Sequence, residues 1–318
     1  MKVWRAVQGM FAPASKNLAQ PPGSSLFDRC GNPDCNRARG LHSLNFRMHP
    51  GLHLGGHAGG HSPSHSGSQW YCGVDCIEQA STHLFSLLSD AATRRTVAQH
   101  RMPLGLLLLA RGDITAEQLT QALTLQRSQS SGRIGEWLQH IGAVQEAGIT
   151  AALSQQWACP VMSLRPGRDL AAATRLPLAL MEGCRMLPVH WNPATHILHV
   201  AFVHSIDYPA LMAIQYQLPC TTEAGVVGAS DFERQLDRER QISRPREVGI
   251  RTPLDAAEMA RVLRNYSQRL DPQSIRACRC QHMIWVRLFT RTQPFDLVFT
   301  TLAEPAEELA QLPLTQAR

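Results

Sequence analysis

Lysine is almost missing from this 318-residue chain, which has it at Lys2 and Lys16 and nowhere else. A phosphate-cradling GxxxxGK[ST] loop needs Lys behind Gly, and neither lysine has that setting. HExxH and GxSxG are absent as well. With no phosphate loop and no nucleophile–base set to name, the chain reads as non-enzymatic. Long apolar runs are missing too: no window reaches the roughly 18 residues that a spanning helix needs. Arg5 and Gln8 interrupt what would be the apolar stretch of a signal peptide. These absences predict a cytoplasmic protein without membrane insertion.

What is present suits a globular chain. Hydrophobic residues make up 44% and charged residues 18%, enough for two or three domains with real cores. The formal charge is +6 and the pI about 9.0. The arginines are scattered and form no basic stripe, so nucleic acid is disfavoured as a partner. A zinc-dependent nucleic-acid binder stays open only as a third reading.

The chain divides by composition into a flexible lead-in (1–29), a cysteine-bearing module (30–90) and a helical stretch (93–157). An α/β half (158–238), a polar linker (239–250), a small α/β unit (251–302) and a tail (303–318) follow. In the α/β half, "RMLPV", "HILHVAFV" and "CTTEAGVVG" read as strands, and "YPALMAIQYQL" reads as a helix. "ASDFERQLDRER" reads as a helix with Ser230 as N-cap and Glu233 placed for a capping box. The last unit has a helix over 254–269 and strands near "SIRACRC", "MIWVRLFT" and "FDLVFTTL". The fold class is therefore α+β.

Cys30 and Cys35 lie in "CGNPDC", and Cys72 and Cys76 lie in "WYCGVDCIEQ". Two short-spaced pairs in a reducing compartment point to a four-thiolate zinc site rather than to disulfides. The first pair sits in a Gly/Pro/Asp turn and the second opens a helix over 77–88, an arrangement that resembles a zinc knuckle. Metal would staple a segment too poor in apolar residues to fold alone. Between the pairs, "GLHLGGHAGGHSPSHSGS" reads as a low-complexity His-rich loop without a core, and its glycines argue against a helix. Cys159, Cys184 and Cys220 read as core thiols, and Cys278, Cys280 and His282 share one face of a strand.

An internal repeat organises the helical stretch. Shifted by 30 residues, Leu104 falls on Ile134, Gly105 on Gly135, Leu108 on Leu138 and Gly112 on Gly142. Ile114 then falls on Val144, Leu119 on Ile149, Leu123 on Leu153 and Gln126 on Gln156. Each unit is a helix, a left-handed turn at Gly112 or Gly142, and a second helix. Thr115 and Gln118 supply a capping box in the first copy. The apolar run at Leu104–Ala110 is thus a core helix.

The doubled pattern, about RLGxxLxxxGxIxxxQLxxxLxxQ, resembles the N-terminal domain of type II secretion and type IV pilus assembly ATPases (GspE or MshE type). The continuation "QQWACPVMSL" and the α/β half extend the resemblance over about residues 100–238. The ATPase domain that follows in the family has no counterpart in this sequence. The resemblance implies a protein-binding, adaptor or regulatory role, with a partner in a secretion or pilus assembly. Some members bind cyclic di-GMP. Carried over by motif position, that ligand would meet Arg133, Ile134, Gly135 and Gln156 in the second copy and Leu104, Gly105 and Gln126 in the first. Pro103 stands where the first motif has Arg, with Arg101 two residues upstream. The competing reading is that Gly105 and Gly135 serve tight helix packing.

Overall fold

In the computed structural model, residues 30–32, 34–35, 52–57, 69–90, 101–129, 132–164, 172 and 174–301 are described. The expected lead-in and tail, and His61 and His65 of the His-rich segment, lie outside them. The architecture is α+β, with two sheets and helices packed around them.

The repeat forms as two helix pairs: α2 (Leu104–Arg111) with α3 (Ala116–Gln129), and α4 (Ile134–His140) with α5 (Glu146–Trp157). The same C-terminal turn closes both first helices. Gly112 and Gly142 adopt φ of 76° and 71°, a region open to Gly at little cost. Asp113 N–H then reaches Leu108 O, and Ala143 N–H reaches Leu138 O, each at 3.0 Å. Thr115 and Gln118 make the expected reciprocal cap at 2.8 and 3.2 Å. Leu107, Leu108, Ile114, Leu119, Ala122, Leu138 and Ala152 form the core between the two units.

The α/β half contains α6 (Leu178–Gly183), β3 (Met186–Asn192), β4 (Ile197–Phe202), α7 (Tyr208–Gln217), β5 (Thr221–Val226) and α8 (Ala229–Arg240). Its sheet runs β3-β4-β5, antiparallel then parallel. The N-cap of α8 is Gly228 rather than Ser230. Glu146, from α5, accepts the Ser230 N–H at 2.8 Å and so caps the helix from outside. Glu233 is engaged elsewhere, with Arg185 at 2.5 Å.

A six-stranded sheet, ordered β2-β1-β7-β8-β9-β6, joins the two ends of the described chain. Its strands are β1 (Leu52–His57), β2 (Gln69–Tyr71), β6 (Glu247–Ile250), β7 (Ser274–Cys280), β8 (Met283–Phe289) and β9 (Phe295–Thr300). Two stretches differ from expectation here. Part of the Gly/His-rich segment is a strand, β1, paired parallel to β7. Part of the polar linker is a strand as well, β6, paired parallel to β9. Backbone pairing orders both, although their side chains signal little.

Helices α1 (Val74–Asp90) and α9 (Ala256–Leu270) cover one face of this sheet. The period of two along β8 divides its side chains between two cores. Ile284, Val286 and Leu288 join Ile77, Phe85, Met259, Leu263 and Phe299 beneath α1 and α9. Met283 and Trp285 face the α/β half, with Leu180, Phe202 and Ile214. On that second face Arg287 grips Asp296 with two bonds of 2.7 and 2.8 Å, and Trp285 Nε1 donates to Asp296 at 2.8 Å. Arg279, from β7, donates to the Leu88 and Ser89 carbonyls and so closes the C-terminus of α1.

Candidate metal centre and repeat face

The sulfurs of Cys30, Cys35, Cys72 and Cys76 lie within 4.8 Å of one another, and none is in a disulfide. The distance from Cys72 Sγ is 3.6 Å to Cys35 Sγ and 3.6 Å to Cys76 Sγ. A tetrahedral ion with metal–sulfur bonds of about 2.3 Å sets sulfur–sulfur edges of about 3.8 Å, so the four thiols fit such an ion. Two local dipoles favour thiolates. The Cys72 N–H points at Cys30 Sγ at 3.5 Å, and Cys76 lies in the first turn of α1, where the helix dipole stabilises negative charge. Burial and the neighbouring thiols push Cys72 up to about 12, and burial raises Cys76. A cation at the centre reverses that cost.

Asn32 fixes the first turn, and the cysteine spacing gave no hint of it. Its buried side chain donates to Cys76 Sγ at 3.5 Å and to Gln79 Oε1 at 2.5 Å, while its Oδ1 accepts the Asp34 N–H at 3.1 Å. An "NPD" between two cysteines was the available signal. Arg264 of α9 then pairs with Asp75 at 2.8 Å and Glu78 at 3.3 Å, tying the helix that carries Cys76 to the far end of the chain.

The repeat residues singled out from the sequence also come together. Reciprocal contacts join the two helix pairs. Gln126 Nε2 donates to Gly132 O at 2.9 Å, and Gln156 Nε2 donates to Met102 O at 2.7 Å. Each closing Gln thus clasps the backbone just ahead of the other unit. Leu104, Gly105, Ile134 and Gly135 meet where α2 and α4 approach: a Cβ on Gly105 would lie 3.8 Å from Ile134, and one on Gly135 3.5 Å from Leu104. The same Gly105 Cβ would stand 2.7 Å from Leu119 Cδ1, so its missing side chain is what lets α3 approach. Arg133 is exposed at the start of α4, where Glu136 accepts its N–H at 3.1 Å. His204 lies within reach of its charge. Burial first, then the Arg133 and Arg185 guanidiniums, lower His204 to about 4. Arg101 is stacked 3.6 Å from the Trp157 ring centroid and 5.9 Å from that of Tyr208.

Among the described residues no helix is long and apolar enough to cross a membrane. No family model matches the chain, and no curated protein matches it. Solved structures similar to it include MshE with cdg, at 28% identity over 44% of this chain and 99% of that one, with a TM-score of 0.36. The N-terminal domain of XpsE is similar in two crystal forms. One has 17% identity over 44% of this chain and 98% of that one, with a TM-score of 0.33. The other has 18% identity over 46% of this chain and 97% of that one, with a TM-score of 0.27. Each of these three structures is covered almost whole, and each covers less than half of this chain.

Proposed function

We propose that the chain is a non-enzymatic adaptor or regulatory protein of the secretion and pilus ATPase N-terminal type. Its work is to dock a protein of such an assembly, with zinc at Cys30, Cys35, Cys72 and Cys76 stapling the unit that flanks the repeat. One observation carries the docking role. Met102 and Leu106 of the repeat are 54% and 50% exposed, Tyr208 and Met212 of the α/β half are 41% and 40% exposed, and the Trp157–Tyr208 ring pair brings the two parts together. Exposed apolar surface of this kind marks protein contacts. The test is capture of a secretion or pilus component by the full chain, and its loss in Leu106→Asp/Met212→Asp. Capture unaffected by both substitutions sinks the role. For zinc, untagged protein should hold one ion per chain. A ratio near zero with four freely alkylated thiols ends that part.

Cyclic di-GMP reception is the second reading, and the MshE structure with cdg motivates it. The exposed Arg133 beside Gly135 suits a phosphodiester, since a guanidinium can fork onto phosphate oxygens. Pro103 in the first copy and the Leu119 contact at Gly105 rank it below docking. Calorimetry decides: no heat at high ligand concentration, or heat unchanged in Arg133→Ala, removes it. A nucleic-acid role predicts affinity that falls steeply with salt, and a flat response removes that one.

A further inference from the structure

We infer that the cysteine centre also reacts with peroxide-class oxidants, closing a Cys35–Cys72 disulfide and releasing the metal. This rests on the zinc reading above. The Cys72 sulfur lies 3.6 Å from two partners, and Cys35, Cys72 and Cys76 are all partly exposed, whereas Cys30 is buried. The two partners of Cys72 are not equivalent. Cys76 is held by the first turn of α1, and the Asn32 amide donates to its sulfur, withdrawing electron density. Cys35 ends the short turn that Asn32 closes through the 3.0 Å bond from Cys35 N–H to Asn32 O. It can approach Cys72 without unwinding a helix.

The chemistry balances on the peroxide alone. One thiolate attacks a peroxide oxygen, breaking the O–O bond and leaving a sulfenic acid and hydroxide. The second thiolate attacks that sulfur, forms the S–S bond and expels the second hydroxide. The two sulfurs lose two electrons and the two oxygens gain them. Cys30 and Cys76 alone supply half of a four-thiolate set, so the ion passes to solvent. The change reaches the fold directly, because Cys30 packs in the same core as Ile77, Met259 and Phe299.

The experiment uses the full, untagged chain, with its metal content measured first. Hydrogen peroxide is then added while a coloured chelator reports free zinc, and peptide mass mapping assigns the linked cysteines. One zinc should be lost per chain in step with a Cys35–Cys72 link, and thiol reductant plus zinc should restore the starting state. Zinc retained while exposed methionines such as Met102 oxidise overturns the inference. So does zinc loss with a Cys72–Cys76 link, or with sulfinic acid and no disulfide. A starting metal content near zero instead overturns the zinc reading itself, before any oxidant is added.

Discussion

The Glu146 carboxylate caps α8 by accepting the Ser230 N–H at 2.8 Å, across 84 positions of sequence. It makes the helical repeat and the α/β half share a bond that neither can form alone. A Cβ on Gly228 would stand 2.5 Å from Glu146 Oε1, so the glycine leaves room for the carboxylate. Glu146→Ala should destabilise the chain by about 1 kcal/mol, the usual loss for a helix cap. Urea unfolding measures it, and an unchanged midpoint would show the cap to be idle.

The two repeat glycines should respond differently to alanine. At Gly105 the new methyl meets Leu119 at 2.7 Å, and overpacking of this kind costs about 1–3 kcal/mol. At Gly135 the nearest atom is 3.4 Å away, and the alanine gains about 1 kcal/mol of helix propensity. Thermal unfolding should therefore show Gly105→Ala clearly less stable than Gly135→Ala. Equal effects would contradict the geometry.

His204 gives the fold a pH dependence of known sign. Its folded value is lowered from 6.5 to about 4, mainly by burial. The unfolded chain therefore binds the proton first, and stability present above pH 6.5 is lost as pH falls toward 4. His204→Gln should flatten the slope of Tm against pH in that window relative to the parent. Identical slopes would mean that the ring is not held neutral.

The Arg287–Asp296 pair is buried on the sheet face turned to the α/β half. Removing one partner strands the other charge, which typically costs 3–5 kcal/mol. Asp296→Ala should approach that loss and Asp296→Asn should lose less, because the amide oxygen still accepts. Denaturant midpoints of the two variants separate these outcomes.

Much of the fold was legible because its signals are local. The apolar run "MIWVRLFT" predicted β8, and the two glycines predicted the turns of the repeat. The two cysteine pairs announced their own meeting by spacing and residue type. What the sequence hid depends on distant partners. Ser230 looks like an N-cap until Glu146 arrives from another helix. Strands β1 and β6 contain Gly and charge, and their order comes from pairing with β7 and β9. Arg287 and Asp296 read as isolated charges because only the β8–β9 register sets them side by side.

The six-stranded sheet has a consequence for how the chain is made. β1 and α1 leave the ribosome early, yet their neighbours β7 and α9 are not synthesised until the entire repeat and α/β half have followed. Such non-local pairing is slow to form and leaves an early segment waiting with its apolar face uncovered. All four cysteines of the candidate centre precede the repeat. A nascent chain that takes up metal through them would carry a pre-ordered α1 into the last step, when the final strands arrive and the sheet closes.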